Sequence, residues 1–186
     1  MEETELVVLG GGIHGVGVAQ AAAAAGYQVR LLEKTALAAG TSSRSTKLIH
    51  GGLRYLESGQ IHLVRKNLKE RELLLKLAPD LIQRKTFYIH LYENLSRQPL
   101  TIRLGLWASD LLTGLTKAPS SSRLSRSDWD RLPGLQTRGL KAVFSYSDAQ
   151  TDDTALTRAV MQSARQLGAE LCCPATFTSA DIFDDH

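Results

Sequence analysis

The apolar pattern begins with Leu6-Val7-Val8-Leu9, which runs directly into Gly10-Gly11-Gly12. Four mostly branched apolar residues stopped by glycine read as a buried parallel strand entering a tight turn. Val16-Gly17-Val18-Ala19-Gln20 and the alanine run Ala21 to Ala25 then form helix-favouring sequence, and Gly26 supplies the stop. Val29-Arg30-Leu31-Leu32 is a second short strand, ending at Glu33. Strand, helix and strand in this order predict an α/β fold with a parallel sheet.

Further along, Thr35 to Gly40 reads as a loop or a short helix. From Ile61 to Leu77 apolar residues recur at helical spacing, with Arg65, Lys66 and Lys69 on a face expected to be solvated. Thr86 to Tyr92 is rich in strand formers. A helix is expected from Thr101 to Leu115, with Leu104, Leu106, Trp107, Leu111 and Leu112 packing in a core or dipping into a membrane interface, core packing being the preferred reading. Ala118 to Ser127 is serine-rich and reads as a surface loop, and Ser127-Asp128-Trp129-Asp130 opens a short helix that ends before Pro133-Gly134. Lys141 to Asp148 alternates like a strand. Asp152 and Asp153 fall at the N-cap and first turn of a helix from Thr154 to Leu167. Ala169 to Cys173 completes the picture as a third strand of the first sheet.

Composition changes this picture little. The 186 residues are 43% hydrophobic and 22% charged, with a net charge of +3. So small an excess suits anionic ligands or an anionic membrane surface and gives no indication of nucleic acid. The two cysteines, Cys172 and Cys173, are adjacent, which fits neither a redox C-x-x-C pair nor a zinc site. They are expected to be buried thiols in a reducing compartment. Met1-Glu2-Glu3 lacks the basic start of a signal peptide, and no apolar run reaches the roughly 20 residues that span a bilayer. A soluble or peripheral protein is expected. Asp152 and Asp153 have no neighbours that complete a metal site, so no metal is expected.

The chemistry concentrates in the glycine turn. Gly10, Gly12 and Gly15 fit G-x-G-x-x-G, with Ile13 and His14 between the last two. Gly10 allows the sharp turn, Gly12 lets the backbone approach a pyrophosphate, and Gly15 lets the helix lie close to the strand. The helix amino terminus offers unpaired N–H groups and partial positive charge to the diphosphate. Glu33, about 20 positions on, is placed to accept hydrogen bonds from an adenosine ribose. Thr41-Ser42-Ser43-Arg44-Ser45-Thr46-Lys47 is either a linker or a polar lining for a phosphate-rich ligand. It leads straight into Leu48-Ile49-His50-Gly51-Gly52-Leu53-Arg54-Tyr55-Leu56, which has core residues and a second glycine pair, and that favours the lining.

The glycine loop together with the run from Thr41 to Leu56 resembles the FAD-dependent (respiratory) glycerol-3-phosphate dehydrogenases. Further matches lie in Lys69-Glu70-Arg71-Glu72-Leu73-Leu74, in Ile102-Arg103-Leu104-Gly105-Leu106, and in Tyr146-Ser147-Asp148 with Asp152-Asp153. The resemblance implies a Rossmann-like FAD-binding domain of the glutathione-reductase type with part of an α+β substrate or cap domain. Residues 1–84 would form the first part of the FAD-binding domain, 85–149 the cap segment and 150–186 the second part. It implies oxidation of sn-glycerol 3-phosphate to dihydroxyacetone phosphate, with hydride passing to FAD and electrons to the quinone pool or another acceptor. Gly10, Gly12, Ile13, His14, Gly15 and Glu33 would hold the ADP half of FAD. Thr41, Ser42, Ser45 and Lys47 would line the diphosphate and ribityl region, and Leu48, His50, Gly51 and Gly52 would lie along the flavin. Arg54 and Tyr55 would bind the substrate, for which a guanidinium offers two charge-assisted donors in one plane.

His50 is left open as a satisfied core histidine, and no catalytic base is assigned. His14 stands where the family usually has a small or amide residue. The family needs several hundred residues, so the chain is expected to be the N-terminal portion of such an enzyme. On its own it is expected to be unstable or aggregation-prone, and inactive. The expected location is the cytoplasm, with a peripheral contact to the inner face of the cell membrane and the oligomeric state both left open. Two other readings remain: a non-catalytic FAD- or nucleotide-binding fragment, and an amino- or hydroxy-acid oxidase of the same flavoprotein superfamily. A nicotinamide dehydrogenase would use Glu33 but gives the hydroxyl-rich segment no task.

Overall fold

The computed structural model describes residues 3–56, 58–93, 98–112 and 121–181, without the side chains of Leu53 and Arg54. In chain order the elements are β1 (Leu6–Leu9), α1 (Ile13–Ala24), β2 (Val29–Leu32), β3 (Leu48–Ile49), α2 (Ile61–Leu77), β4 (Ile82–Tyr92), α3 (Pro99–Leu112), β5 (Ser121–Arg123), α4 (Arg126–Trp129), β6 (Leu140–Thr151), α5 (Asp153–Gln166) and β7 (Glu170–Cys172). Short 3-10 turns cover Thr41–Ser43 and Leu53–Leu56. The chain divides into two compact units, one formed by residues 1–47 and 151–186 and the other by residues 48–150.

The first unit is a parallel sheet in the order β1-β2-β7, with Leu6 opposite Val29, Leu9 opposite Leu32 and Arg30 opposite Glu170. Val8 of β1 and Val29 and Leu31 of β2 form a core with Val16, Ala19 and Ala23 of α1 and Met161 and Ala164 of α5. Small side chains on both helices let them approach closely, and Gln20 Nε2 donates to Ser163 Oγ at 2.7 Å across the contact. Each fully buried Val, Leu or Met contributes about 1.5–3 kcal/mol. Both helices pack on the face that carries Val8 and Leu31. The opposite face is therefore open, and Val7 and Leu9 are 47% and 54% exposed. The expectation of a fully buried strand holds for one face of β1 only. The expected burial of the thiols is corrected too. Among the described strands β7 is a sheet edge, where Cys172 is half-buried, and Cys173 lies past the strand end and is exposed.

The second unit is built on β6, which lies between β3 and β4 and also pairs with β5. The β3 and β5 pairings are antiparallel, with Ile49 opposite Ala149 and Ser121 opposite Tyr146. Its cores are Leu91, Leu106, Ala142 and Phe144, and separately Trp129, Leu140 and Val143. Helix α2 has the bounds the apolar spacing predicts and buries Val64 and Leu68. It also buries Arg71, whose Nη1 donates to Asp148 Oδ1 at 2.9 Å, while its Nε and Nη2 reach Glu72 at 3.2 and 3.0 Å. On α3 the preferred core reading holds for Leu106 but fails for Leu104, Trp107 and Leu111, which lie on the solvent side of the helix. The expected helix end at Leu115 lies outside the described residues. The serine-rich stretch read as a loop contains β5. Its exposed Ser122 and Arg123 carry no apolar alternation, and only the backbone ladder to β6 makes it a strand.

Candidate functional site

The glycine turn is shaped by contacts that only glycine permits. Gly10 adopts φ +101°, and its N–H donates to Leu32 O at 2.8 Å. A Cβ at Gly15 would lie 1.9 Å from Gly10 O, so any side chain would force α1 off the strand. A Cβ at Gly12 would come within 3.2 Å of Ser42 Oγ. Gly12 is the N-cap of α1 and offers no side-chain cap, and the first turn contains no acid. Apart from the Ile13 N–H, which Ser42 takes, the first-turn amides at His14 and Gly15 therefore retain their capacity for an external anion. Ile13 N–H donates to Ser42 Oγ at 2.8 Å, and the Ile13 and His14 side chains are exposed.

Glu33 ends β2 facing this turn. Its Oε2 accepts the Gly11 N–H at 2.7 Å, and its Oε1 accepts the Thr35 N–H at 2.8 Å and the Thr35 hydroxyl at 3.0 Å. These donors, the Gly11 amide foremost, hold the carboxyl below its ordinary range against the opposing effect of burial. The residue read as a ribose acceptor is thus also the clasp that holds the loop to β2. Two lone pairs on each carboxylate oxygen leave acceptor capacity for a ribose hydroxyl. Gly11 was not among the glycines given a task by the sequence pattern, yet a Cβ there would meet Leu37 Cδ2 at 2.8 Å and Glu33 Cγ at 3.0 Å.

The hydroxyl-rich segment is a folded strap. Thr41 begins its 3-10 turn and is exposed, and Ser42 reaches the first turn of α1. At the other end Asp153 Oδ2 accepts the Ser45 hydroxyl at 2.7 Å and the Ser45 N–H at 3.1 Å. Lys47 Nζ forms an ion pair with Asp153 Oδ1 and donates to Ser43 O at 3.2 Å. Lys47 itself sits at φ +62°, left-handed backbone that a non-glycine residue adopts only when its surroundings hold it there. The hydrogen bond from Lys47, followed by burial in the opposite sense and then the Ser45 donors, leaves the Asp153 carboxyl far below the usual range. Asp152 is the N-cap, its Oδ1 accepting the Ala155 N–H at 2.9 Å. Nothing in the spacing of the sequence linked Asp153 to a segment 108 residues away.

The remaining candidates belong to the second unit. Leu48 pairs with Gln150 in the sheet, and His50 is exposed, which overturns the reading of His50 as a core histidine. Gly51 and Gly52 are buried. A Cβ at Gly51 would meet Leu68 Cδ2 at 2.3 Å, and one at Gly52, at φ +75°, would meet the Tyr55 ring at 2.6 Å. Packing inside this unit thus requires both glycines. The Tyr55 side chain is 39% exposed, and the Arg54 side chain lies outside the described residues.

The first unit fits the ADP half of a dinucleotide. A β-α turn closed to side chains, helix amides aimed outward, a hydroxyl resting on those amides and an acid at the next strand tip are the donors and acceptors that a diphosphate and a ribose require. Among the described residues, no helix is long and apolar enough to cross a membrane.

Comparison with known proteins bears on the same region. The family model described as FAD dependent oxidoreductase matches residues 5–184. A glycerol-3-phosphate dehydrogenase of Synechocystis sp. is 41% identical over 169 residues, covering 90% of this chain and 31% of the relative. A D-erythritol 1-phosphate dehydrogenase of Brucella abortus is 42% identical over 182 residues, covering 96% of this chain and 35% of the relative. The crystal structure of a glycerol-3-phosphate dehydrogenase from Bacillus halodurans, complexed with FAD, superposes with a TM-score of 0.69 at 26% identity, covering 99% of this chain and 29% of that one. The chain thus spans about a third of the length of the relatives it matches.

Proposed function

The chain belongs to the FAD-dependent oxidoreductase family, and on that premise we propose that it serves the oxidation of sn-glycerol 3-phosphate to dihydroxyacetone phosphate with FAD as cofactor. The observation that carries this reading is the 41% identity over 169 residues, 90% of this chain, to a glycerol-3-phosphate dehydrogenase. In this reading residues 1–84 and 150–186 belong to the FAD-binding domain and 85–149 to a substrate-side cap.

When bound, FAD supplies the acceptor for the hydride of the substrate's C2–H bond. The protein binds and orients. Gly10, Gly12 and Gly15 keep the turn open, and Ile13 and His14 lie at the diphosphate, the Ile13 N–H acting through the Ser42 hydroxyl to which it donates. Glu33 accepts from the ribose, and Thr41, Ser42, Ser45 and Lys47 line the diphosphate and ribityl chain. Leu48, His50, Gly51 and Gly52 follow the flavin, and Arg54 and Tyr55 meet the substrate phosphate, where a guanidinium gives two parallel charge-assisted bonds. Electron delivery to quinone at the inner face of a membrane is part of the same proposal, and the exposed Leu104, Trp107 and Leu111 of α3 are compatible with an interfacial contact.

The Brucella abortus relative favours a second substrate reading, a longer phosphorylated polyol oxidised by the same chemistry. The visible spectrum of the purified, desalted protein tests both. Bound flavin bands that bleach with glycerol 3-phosphate support the first reading, and bleaching only with erythritol phosphate supports the second. Flavin that neither substrate reduces leaves a cofactor-binding segment, and folded protein without any affinity for FAD overturns the proposal for this chain.

A further inference from the structure

The strap from Thr41 to Lys47 bridges two helix amino ends that are remote in sequence. At one end Ser42 Oγ accepts the Ile13 N–H of α1 at 2.8 Å. A hydroxyl that accepts through its oxygen retains its own proton to donate, and here that proton belongs to an oxygen resting on the amides assigned to the diphosphate. At the other end the Asp153 carboxylate takes three donors from the strap, namely the Ser45 N–H, the Ser45 hydroxyl and the Lys47 ammonium. It also accepts its own helix's Thr154 N–H at 2.9 Å. Asp153 is buried, 9% exposed, so the carboxylate is the fixed end of the clasp, onto which the exposed Ser45 and the partly exposed Lys47 are drawn. The backbone continues the grip, since the Thr151 N–H donates to Lys47 O at 2.9 Å. Lys47 keeps its left-handed backbone under these constraints, with its N–H on Ser45 Oγ at 3.1 Å.

We propose that Asp153 is a positioning residue for the cofactor's diphosphate: it clasps the strap at Ser45 and Lys47 and so holds the Ser42 hydroxyl on the amino end of α1. This rests on the reading of the first unit as a dinucleotide site. It assigns Asp153 a task beyond helix initiation, which Asp152 already serves as N-cap. It also alters the role of Lys47. With its ammonium paired to Asp153, Lys47 acts by holding the strap's shape, and the diphosphate is met by neutral donors, the α1 amides and Ser42.

The test uses the full chain and the variant Asp153→Asn, which keeps the side chain's size and removes its charge. Affinities for FAD, ADP and AMP are measured by calorimetry. AMP reads Glu33 and the glycine turn without the second phosphate, so it separates a positioning role from general damage to the unit. The expected result is a loss of about tenfold for ADP and FAD with AMP changed less than twofold. Amide hydrogen exchange should rise at Ser45 and stay unchanged at Val16 and Ala19 of α1. ADP affinity unchanged in the variant, or equal losses for AMP and ADP, would overturn the proposal. A wild-type chain that binds none of the three nucleotides would instead overturn the reading of the site itself, and with it the task given to the clasp.

Discussion

At the scale of single residues, the site depends on atoms that are absent as much as on those present. Gly15 has no room for a methyl group because Gly10 O occupies the place a Cβ would take. Gly15→Ala should destabilise the first unit by about 2–4 kcal/mol, in the range of overpacking with a backbone shift. Urea denaturation followed by far-UV circular dichroism reads this, and an unchanged midpoint would refute the close approach. Glu33 gives a second residue-scale prediction. Its carboxyl titrates lower in the folded than in the unfolded chain, where 4.5 is ordinary. The stability it adds is therefore full above that unfolded value and is lost as pH falls through the lower folded one. Wild type should lose stability on acidification from pH 5 toward pH 3, and the gap between it and Glu33→Gln should narrow over the same range. The three spaced glycines and Glu33 were legible because their tasks are local and stereochemical. Gly11 and Asp153 were not, since their partners Leu37, Glu33, Ser45 and Lys47 meet them only after folding.

At the scale of elements, periodicity located helices well and their inward faces less well. The apolar spacing from Ile61 to Leu77 coincides with α2, but Arg71, in a run of charges, proved to be buried against Asp148 with both side chains about 4–5% exposed. Arg71→Ala would leave Asp148 an unpaired buried charge and should cost about 3–5 kcal/mol. The double variant Arg71→Met/Asp148→Leu should recover part of that loss, and a double-variant loss equal to the sum of the Arg71→Met and Asp148→Leu losses would show that the pair is not coupled. On α3 the leucines look equivalent in sequence. Leu106 is 4% exposed and packs with Leu91 and Phe144, whereas Leu104 is 56% exposed. Leu106→Ala should cost about 2–4 kcal/mol and Leu104→Ala less than about 0.5 kcal/mol, measured as urea midpoints. An apolar helix face can be seen in a sequence, but which part of it a neighbouring sheet covers cannot.

At the scale of the whole molecule, the parallel sheet is covered by α1 and α5 on one face, and β1, with β2 as its one neighbour among the described strands, leaves Val7 and Leu9 half-exposed. Apolar side chains beside an unpaired strand edge promote association between chains. Sedimentation velocity should show concentration-dependent self-association that Val7→Lys weakens, with little change in the unfolding midpoint. Equal self-association of variant and wild type would place the contact elsewhere. By itself the sequence determined the strand-turn-helix-strand order, the dinucleotide-type turn, the acid at the second strand tip and the extents of α2 and α5. Each of these follows from periodicity, propensity and glycine stereochemistry over a few neighbouring residues. Tertiary structure alone decided which face of β1 stays open, that Cys172 lies on an edge strand and Cys173 beyond it, that Arg71 is internal, and that Asp153 grips the strap. Those outcomes depend on contacts between residues tens to more than a hundred positions apart, such as the 108 between Ser45 and Asp153, and no local pattern encodes such a contact.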